Sequence, residues 1–247
     1  MYNLLKSFKG LSAGESHGRH LIRDWSIEVC RSRDAPVILD IGAGRGEDIL
    51  TIREQLPGAS LQAIETFPVS IEFLKQNDVS VSEIDIEKSV FPFESESIDL
   101  IICNQVYEHL KEIFWLTSEI ERVLRPDGAA IIGVPNLGSL HNRLLLLAGQ
   151  QPAAIHVLGP HVRGFTVPGL RKFFEAAGSL KVERVGGSNF YPFGPKIARL
   201  VANMMPRLAV SSFYLLRRTN SPRRFLDLFD DPIGVELVDT PFYRGSL

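Results

Sequence analysis

Cysteine is scarce in this chain: only Cys30 and Cys103 occur, each inside an apolar periodic stretch. That excludes a disulfide framework and a cysteine-type zinc site, and it fits a reducing compartment. No uninterrupted apolar run approaches the ~18 residues that a membrane span requires. The opening residues MYNLLKSFKGLSAGESHGRH lack an apolar core followed by a small-residue cleavage site. No secretory signal is therefore expected, and a cytoplasmic setting is. Basic residues are not in excess either, since 27 Lys and Arg face 29 Asp and Glu, for a net charge of −2. The chain as a whole lacks the electrostatic footprint of a duplex-binding module. One further absence is local. No acid lies between Glu183 and Asp227, while Arg184, Lys196, Arg199, Arg207, Arg217, Arg218, Arg223 and Arg224 all fall inside that interval.

What is present suits one large globular domain with an appendage: 247 residues, 45% apolar and 23% charged. Strand-like and helical segments alternate. PVILDIG (36–42), LQAIE (61–65), VSVSEIDI (79–86), SIDLIICN (97–104) and AAIIGVP (129–135) read as strands. GEDILTIREQL (46–56), PVSIEFLKQ (68–76) and LKEIFWLTSEIERVL (110–124) carry helical spacing, and RPDG (125–128) reads as a turn. Further on, SLHNRLLLLAG (139–149) reads as a helix, residues 150–164 as a long loop, and VPGLRKFFEAAG (167–178) as a helix capped by Thr166. LKVERVGG (180–187) and SSFYLLRRT (211–219) are strand-like, with helical PKIARLVANMM (195–205) between them. Such alternation predicts a mostly parallel sheet covered on both faces. Ligands of such sheets bind beyond the carboxyl ends of the strands. Asp40 to Gly46, Glu65, Asp85, Asn104 and the pair Pro135–Asn136 all fall at such ends.

The stretch LDIGAGRGE (39–47) carries the sharpest signal. Gly42, Gly44 and Gly46 let a ligand approach the backbone, because no Cβ intrudes. A dinucleotide loop needs G-x-G-x-x-G so that pyrophosphate sits on a helix N-terminus. Here the third glycine comes one residue early, and Asp40 precedes the first. A carboxylate there repels a phosphate and suits a ligand that is cationic and phosphate-free.

At this point VILDIGAGRGE resembles the first motif, E/D-x-G-x-G-x-G, of the class I S-adenosylmethionine-dependent methyltransferases. The PF…SIDLI…EHL pattern and LRPDG resemble a large subgroup of them that methylates small molecules. The resemblance covers about residues 35–190. It implies a Rossmann-like α/β fold with a seven-stranded, mostly parallel sheet, one antiparallel strand and helices on both faces. It implies S-adenosyl-L-methionine as cofactor, held by Asp40, Gly42, Ala43, Gly44 and Gly46. Glu65, with Thr66 beside it, matches the acid that takes both ribose hydroxyls. Asp85 matches the acid near the adenine amino group, and Ile86 the apolar residue beside it. Asn104 and Gln105 complete the set at the end of the fourth strand. The implied division is an N-terminal helical segment (1–34), a methyltransferase domain (35–220) with cofactor half 35–135 and acceptor half 136–220, and a tail (221–247). More loosely, PNLGSLHNRLLLLAG to HVRGFT…LRKFFEAAG is similar to methyltransferase-like proteins of polysaccharide and lipopolysaccharide assembly, and to the methionine-biosynthesis protein W family.

Methyl transfer to an alcohol needs a place for the hydroxyl proton to go, and histidine is the usual base near neutral pH. His109, after the fourth strand, is the first candidate, followed by His161 and His141 in the acceptor half. His156 is weaker, while His17 and His20 lie on an expected N-terminal helix that could lid the cofactor. Tyr107 either orients the acceptor or fills the pocket. Arg143 and Arg163 are the candidates for a phosphate-bearing substrate. No His/Asp/Glu grouping shows divalent-metal spacing along the sequence, so no metal is expected. The signatures of amino- and cytosine-C5-directed DNA methyltransferases are absent, and no nucleic acid is expected as substrate.

The resulting expectation is O-methylation of a sugar hydroxyl in surface-polysaccharide, glycolipid or sugar-nucleotide metabolism. Two alternatives stand beside it: a methyltransferase for an apolar metabolite such as a quinone or polyketide, and a non-catalytic cofactor-binding partner of another enzyme. The acid-free segment 184–224 interleaves arginines with apolar residues. Besides ordinary structure, it suggests peripheral contact with the inner membrane face or a lipid-linked substrate. The oligomeric state and the role of the tail stay open.

Overall fold

The computed structural model of the protein describes residues 18–230. His17 and the tail from 231 on lie outside the described residues. In chain order the elements are α1 (Arg19–Cys30), β1 (Val37–Ile41), α2 (Glu47–Arg53), β2 (Ser60–Ile64), α3 (Pro68–Gln76), β3 (Ser80–Ser82), β4 (Ile98–Asn104), α4 (Ile113–Val123), β5 (Leu124–Pro135), α5 (Leu140–Leu147), α6 (Val167–Glu175), β6 (Leu180–Ser188), α7 (Pro195–Met204) and β7 (Ser211–Arg218). They build one seven-stranded sheet in the order β3-β2-β1-β4-β5-β7-β6. β1 runs parallel to β2 and β4, and β5 parallel to β4. β7 is antiparallel to both β5 and β6. The expected sheet, with its single reversed strand, is the sheet observed.

Both faces are covered, which is why β1 and β4 are apolar without alternation. On one face Ile22, Trp25 and Cys30 of α1 pack with Ile49, Ile52 and Leu74 against Ile38, Leu100 and Phe213. On the other, α4 and α6 bring Leu116, Ile120, Leu170 and Phe174 onto Ile101, Ile132 and Tyr214. Both cysteines are buried and free.

Several boundaries differ from the sequence reading, and three of the differences have a local reason. The third strand is only three residues long, because Val81 and Ser82 pair with β2 and the chain then turns away, with Glu65 N bonding Ser82 O at 3.3 Å. The helix expected from residue 110 starts at Ile113, because Tyr107–His109 form a separate 3₁₀ turn and Leu110 is extended. RPDG does not end an element. It bulges within β5, where Ile98 pairs with Leu124 and Leu100 next pairs with Ala129. Arg33 and Arg125 anchor the base of that bulge on the buried Asp99, whose other oxygen accepts from Val37 N at 2.8 Å.

The strand order reverses direction between β1 and β4, so the crossovers leave in opposite senses and a crevice opens at their carboxyl ends. Asp40 sits there, in register with Ala63 of β2 and Ile102 of β4.

Candidate active site

The three loop glycines all occupy left-handed backbone, with φ of +68°, +53° and +72° at Gly42, Gly44 and Gly46. Their surroundings separate their roles. A Cβ on Gly42 would meet Val106, and one on Gly46 would meet Leu74, each at 2.7 Å. A Cβ on Gly44 would meet nothing within 4 Å. Gly42 and Gly46 are therefore small for packing, whereas Gly44 keeps open space against bare backbone. Ala43 between them is partly buried against the core.

Glu65, just past β2, fastens this loop. One of its oxygens accepts from Gly44 N at 2.7 Å, the other from Thr66 N at 2.7 Å and Phe67 N at 2.9 Å. Asp40 is only 3% exposed, and its Oδ2 has no hydrogen-bond partner. Burial, with the charges of Asp48 and Glu65 adding to it, holds the Asp40 carboxyl well above the usual carboxylate range. At the end of β4, Asn104 donates from Nδ2 to Asp48 at 2.9 Å, while its Oδ1 and the Gln105 Nε2 are buried and unpartnered. Gln105 itself holds φ +58°, a conformation costly for a non-glycine residue, with its N–H on Gly133 O at 2.8 Å. A Cβ on Gly133 would strike Asn104 Oδ1 at 2.4 Å, so that glycine makes room for the asparagine. Asp85 is exposed three residues beyond β3 and accepts from Glu87 N at 2.9 Å, and Ile86 packs on the core. Three carboxylates, open backbone and orphaned polar atoms thus line one crevice, a donor and acceptor set that fits a cation carrying an amino-acid moiety.

Beside the crevice the 3₁₀ turn presents Glu108 and His109, and the loop 150–164 delivers His161. The His109 and His161 rings meet edge to face, with centroids 4.8 Å apart. His161 Nδ1 lies 2.8 Å from Ala154 O. A carbonyl only accepts, so Nδ1 carries the proton and Nε2 the lone pair. His109 Nδ1 faces Pro160 O at 3.4 Å in the same sense. Burial, then the neighbouring His161, lowers the His109 pKa below its ordinary value. Glu108 was not among the residues expected to act, yet it is 1% exposed and neither carboxylate oxygen has a hydrogen-bond partner. Its burial pushes the carboxyl up to about 7. Adjacency to His109 was its only sequence signal, and an acid at a helix start ordinarily needs no further explanation.

Several expected contacts resolve differently. Tyr107 is fully buried, bonded to Thr117 at 3.0 Å and stacked edge-on against Phe174, so it fills the core and does not reach an acceptor. Arg163 donates to Leu110 O at 3.1 Å and Lys111 O at 2.6 Å, stapling the loop rather than waiting for a phosphate. His141 on α5 packs on Tyr191 with ring centroids 5.3 Å apart and is not among the residues whose ligand atoms gather with His109 and His161. Arg143 donates to Gly138 O at 2.8 Å. His156 is exposed and His20 half-buried on α1. That helix also reaches the loop, through Arg19 on Glu47 and Asp48. The basic segment is not one continuous face. Arg184, Arg217 and Arg218 pair with Glu28, Glu183 and Glu96, whereas α7 turns Ile197, Leu200 and Met204 outward beside Lys196 and Arg199.

Residues 39–132 match the methyltransferase domain family. A ubiquinone biosynthesis O-methyltransferase of Rickettsia akari is 28% identical over 104 residues, covering 40% of this chain and 40% of that protein. A mitochondrial arginine hydroxylase of Mus musculus is 26% identical over 141 residues, covering 55% of this chain and 39% of that protein. The chain spans 34% to 42% of the length of the curated relatives it matches. Among solved structures, the Burkholderia thailandensis 1,6-didemethyltoxoflavin N1-methyltransferase with bound S-adenosylhomocysteine aligns at TM-score 0.56 and 19% identity, over 89% of this chain and 87% of that one. The [4+2]-cyclase SpnF aligns at TM-score 0.61 and 14% identity, over 86% of each chain. These likenesses carry the fold. Together with the methyltransferase-domain match over residues 39–132 and the ordered motifs, they make the chain similar to the class I S-adenosylmethionine-dependent methyltransferases. S-adenosylmethionine, with its ammonium and sulfonium and no phosphate, is the cofactor that the crevice fits.

Two outcomes follow. Gly44→Val fills the open space at a left-handed position and reduces S-adenosylmethionine affinity at least ~100-fold by calorimetry, while the fold survives with a loss of about 1–2 kcal/mol; unchanged affinity would remove the loop from the site. Asp40→Asn tests the buried carboxylate through pH. Its folded pKa is raised, so its favourable contribution is complete below the ordinary carboxylate range and is lost as pH rises through the folded value. The asparagine variant, free of that penalty, gains on the parent by about 1.4 kcal/mol per pH unit across that window in cofactor-free denaturant melts. Parallel stability profiles would contradict the assignment.

Proposed function

We propose that the protein transfers the methyl group of S-adenosylmethionine to a hydroxyl of a sugar-bearing, lipid-linked acceptor, as in glycolipid or surface-polysaccharide synthesis. The observation that carries this reading is the convergence of Glu108, His109 and His161 immediately after β4, beside the crevice. When bound, S-adenosylmethionine supplies a methyl carbon already activated by its sulfonium. The remaining task is to align an acceptor oxygen and remove its proton. Each histidine directs Nδ1 at a backbone carbonyl, which leaves Nε2 to receive that proton, and the depressed pKa of His109 keeps it neutral and receptive at physiological pH.

The acceptor half supports a lipid-linked substrate. Leu144, Leu147, Val157, Leu158, Ile197 and Met204 are all more than half exposed. They sit on α5, the loop and α7, beside Arg143, Lys196 and Arg199. Exposed apolar residues that alternate with cations along the same elements suit an anionic lipid or an interface. No described helix is long and apolar enough to cross a membrane. The same exposed residues favour the second reading, an apolar quinone-like acceptor.

Methyl-labelled S-adenosylmethionine offered with sugar nucleotides, extracted glycolipids and quinone precursors separates these readings. The expected result is label in the glycolipid fraction. His161→Ala should lower turnover by about 10²–10³-fold and leave cofactor affinity within about twofold. Label confined to quinones selects the second reading. Label in no pool, despite tight cofactor binding, leaves a cofactor-binding partner of another enzyme and sinks both.

A further inference from the structure

We propose that Glu108, His109 and His161 form a binding site for one divalent first-row transition-metal ion at the edge of the cofactor crevice. Their ligand atoms, one from each residue, lie within 4.8 Å of one another. A buried carboxylate without a hydrogen-bond partner is expensive, and an ion is the usual compensation. Here both Glu108 oxygens are buried and unpartnered, and the neutral His109 ring stands with Nε2 4.0 Å from Oε1, too far for a hydrogen bond.

The surroundings of the two histidines match what metal ligands need. A ligating imidazole commonly donates its other N–H to a carbonyl, which fixes tautomer and ring orientation. His161 does this on Ala154 O at 2.8 Å, and His109 faces Pro160 O at 3.4 Å. The carriers are also fastened together. The Glu108 carbonyl accepts from Val162 N at 2.8 Å and Arg163 N at 3.2 Å, so the residues following His161 are tied to the backbone of Glu108 itself. Arg163 adds its two bonds to Leu110 O and Lys111 O. A loop that would otherwise be free thus holds His161 against the turn. Ligand atoms around one ion with bonds near 2.1 Å stand about 3 Å apart. The half-exposed His109 side chain is the one with freedom to swing inward and close the difference.

Two imidazoles and one carboxylate suit Mn²⁺, Fe²⁺, Co²⁺ or Zn²⁺, whereas Mg²⁺ and Ca²⁺ favour oxygen sets. Three protein ligands leave at least one coordination position open. On the O-methyltransferase reading, on which this last step rests, that position takes the acceptor oxygen. The ion then lowers the hydroxyl pKa, so the proton leaves to solvent before the oxygen attacks the methyl carbon. The histidines would act through the ion rather than as free bases. The sequence concealed this grouping because His161 is far from the Glu108–His109 pair along the chain.

The test uses the whole chain, stripped with EDTA and titrated with Co²⁺ and Mn²⁺. The expected result is one ion per chain by calorimetry and visible Co²⁺ d–d bands. Glu108→Gln and His161→Ala each weaken binding at least ~100-fold, and Mg²⁺ does not compete at equal concentration. Retained S-adenosylmethionine binding checks that each variant is folded, and Glu108→Gln, isosteric at a buried position, covers the case in which His161→Ala is not. Substoichiometric binding, or binding that neither variant alters, overturns the site. Metal binding without turnover on any hydroxyl acceptor keeps the site and sinks the O-methyltransferase reading. Turnover that survives full chelation keeps that reading and overturns the ion's part in it.

Discussion

A carboxylate buried at the reversal point of a parallel sheet organises this molecule. Asp40 lies one residue before the end of β1, where the crossovers part, and it stands among Asp48 and Glu65 with one oxygen unpartnered. Such a cluster is unfavourable in the cofactor-free chain, because burial and like charge both oppose ionisation. It persists because the surrounding backbone is over-determined. Gly42 hydrogen-bonds β2 through Ile64 O at 2.8 Å, Glu65 clamps Gly44, and Asn104 reaches across to Asp48. The site exchanges stability for a pocket whose charge is satisfied only when a cation arrives.

The region from Asn136 to Ala209 depends on a different device, two buried asparagines. Asn136, fully buried past β5, donates to Arg207 O and Ala209 O at 3.0 and 2.8 Å and accepts from Gly138 N at 2.9 Å. Asn142 on α5 bonds Asn136 O and, through Oδ1, Ala153 N, both at 2.9 Å. Helix α5, the start of the 150–164 loop and the segment after α7 are thereby fixed to the end of the sheet. The far end of the loop is held by Glu108 O and Arg163. His161 lies between these anchors, which gives an irregular region the positional precision of the regular elements.

The sequence exposed the fold wherever period and position coincide. α3 was read to the residue, Pro68–Gln76, because proline sets its first turn. The buried strands betrayed themselves by unbroken apolar runs. Boundaries slipped where hydrogen bonds rather than hydrophobicity decide, as at β3 and at the turn before α4. The glycine loop, Glu65 and Asn104 were legible because strand ends carry them. Glu108 was not, since its burial depends on a loop more than one element away. Arg163 and Tyr107 misled for the opposite reason: a guanidinium or phenol near a cleft looks chemical until its backbone or core partners are seen.

The central claim is that this crevice selects its ligand by positive charge. The most direct measurement compares, by calorimetry at neutral pH, S-adenosylhomocysteine with its analogue lacking the α-amino group. Losing that ammonium should weaken binding about 10–100-fold, the worth of a charge-assisted hydrogen bond, with the difference shrinking in Asp40→Asn. Equal affinities for the two ligands would contradict the account.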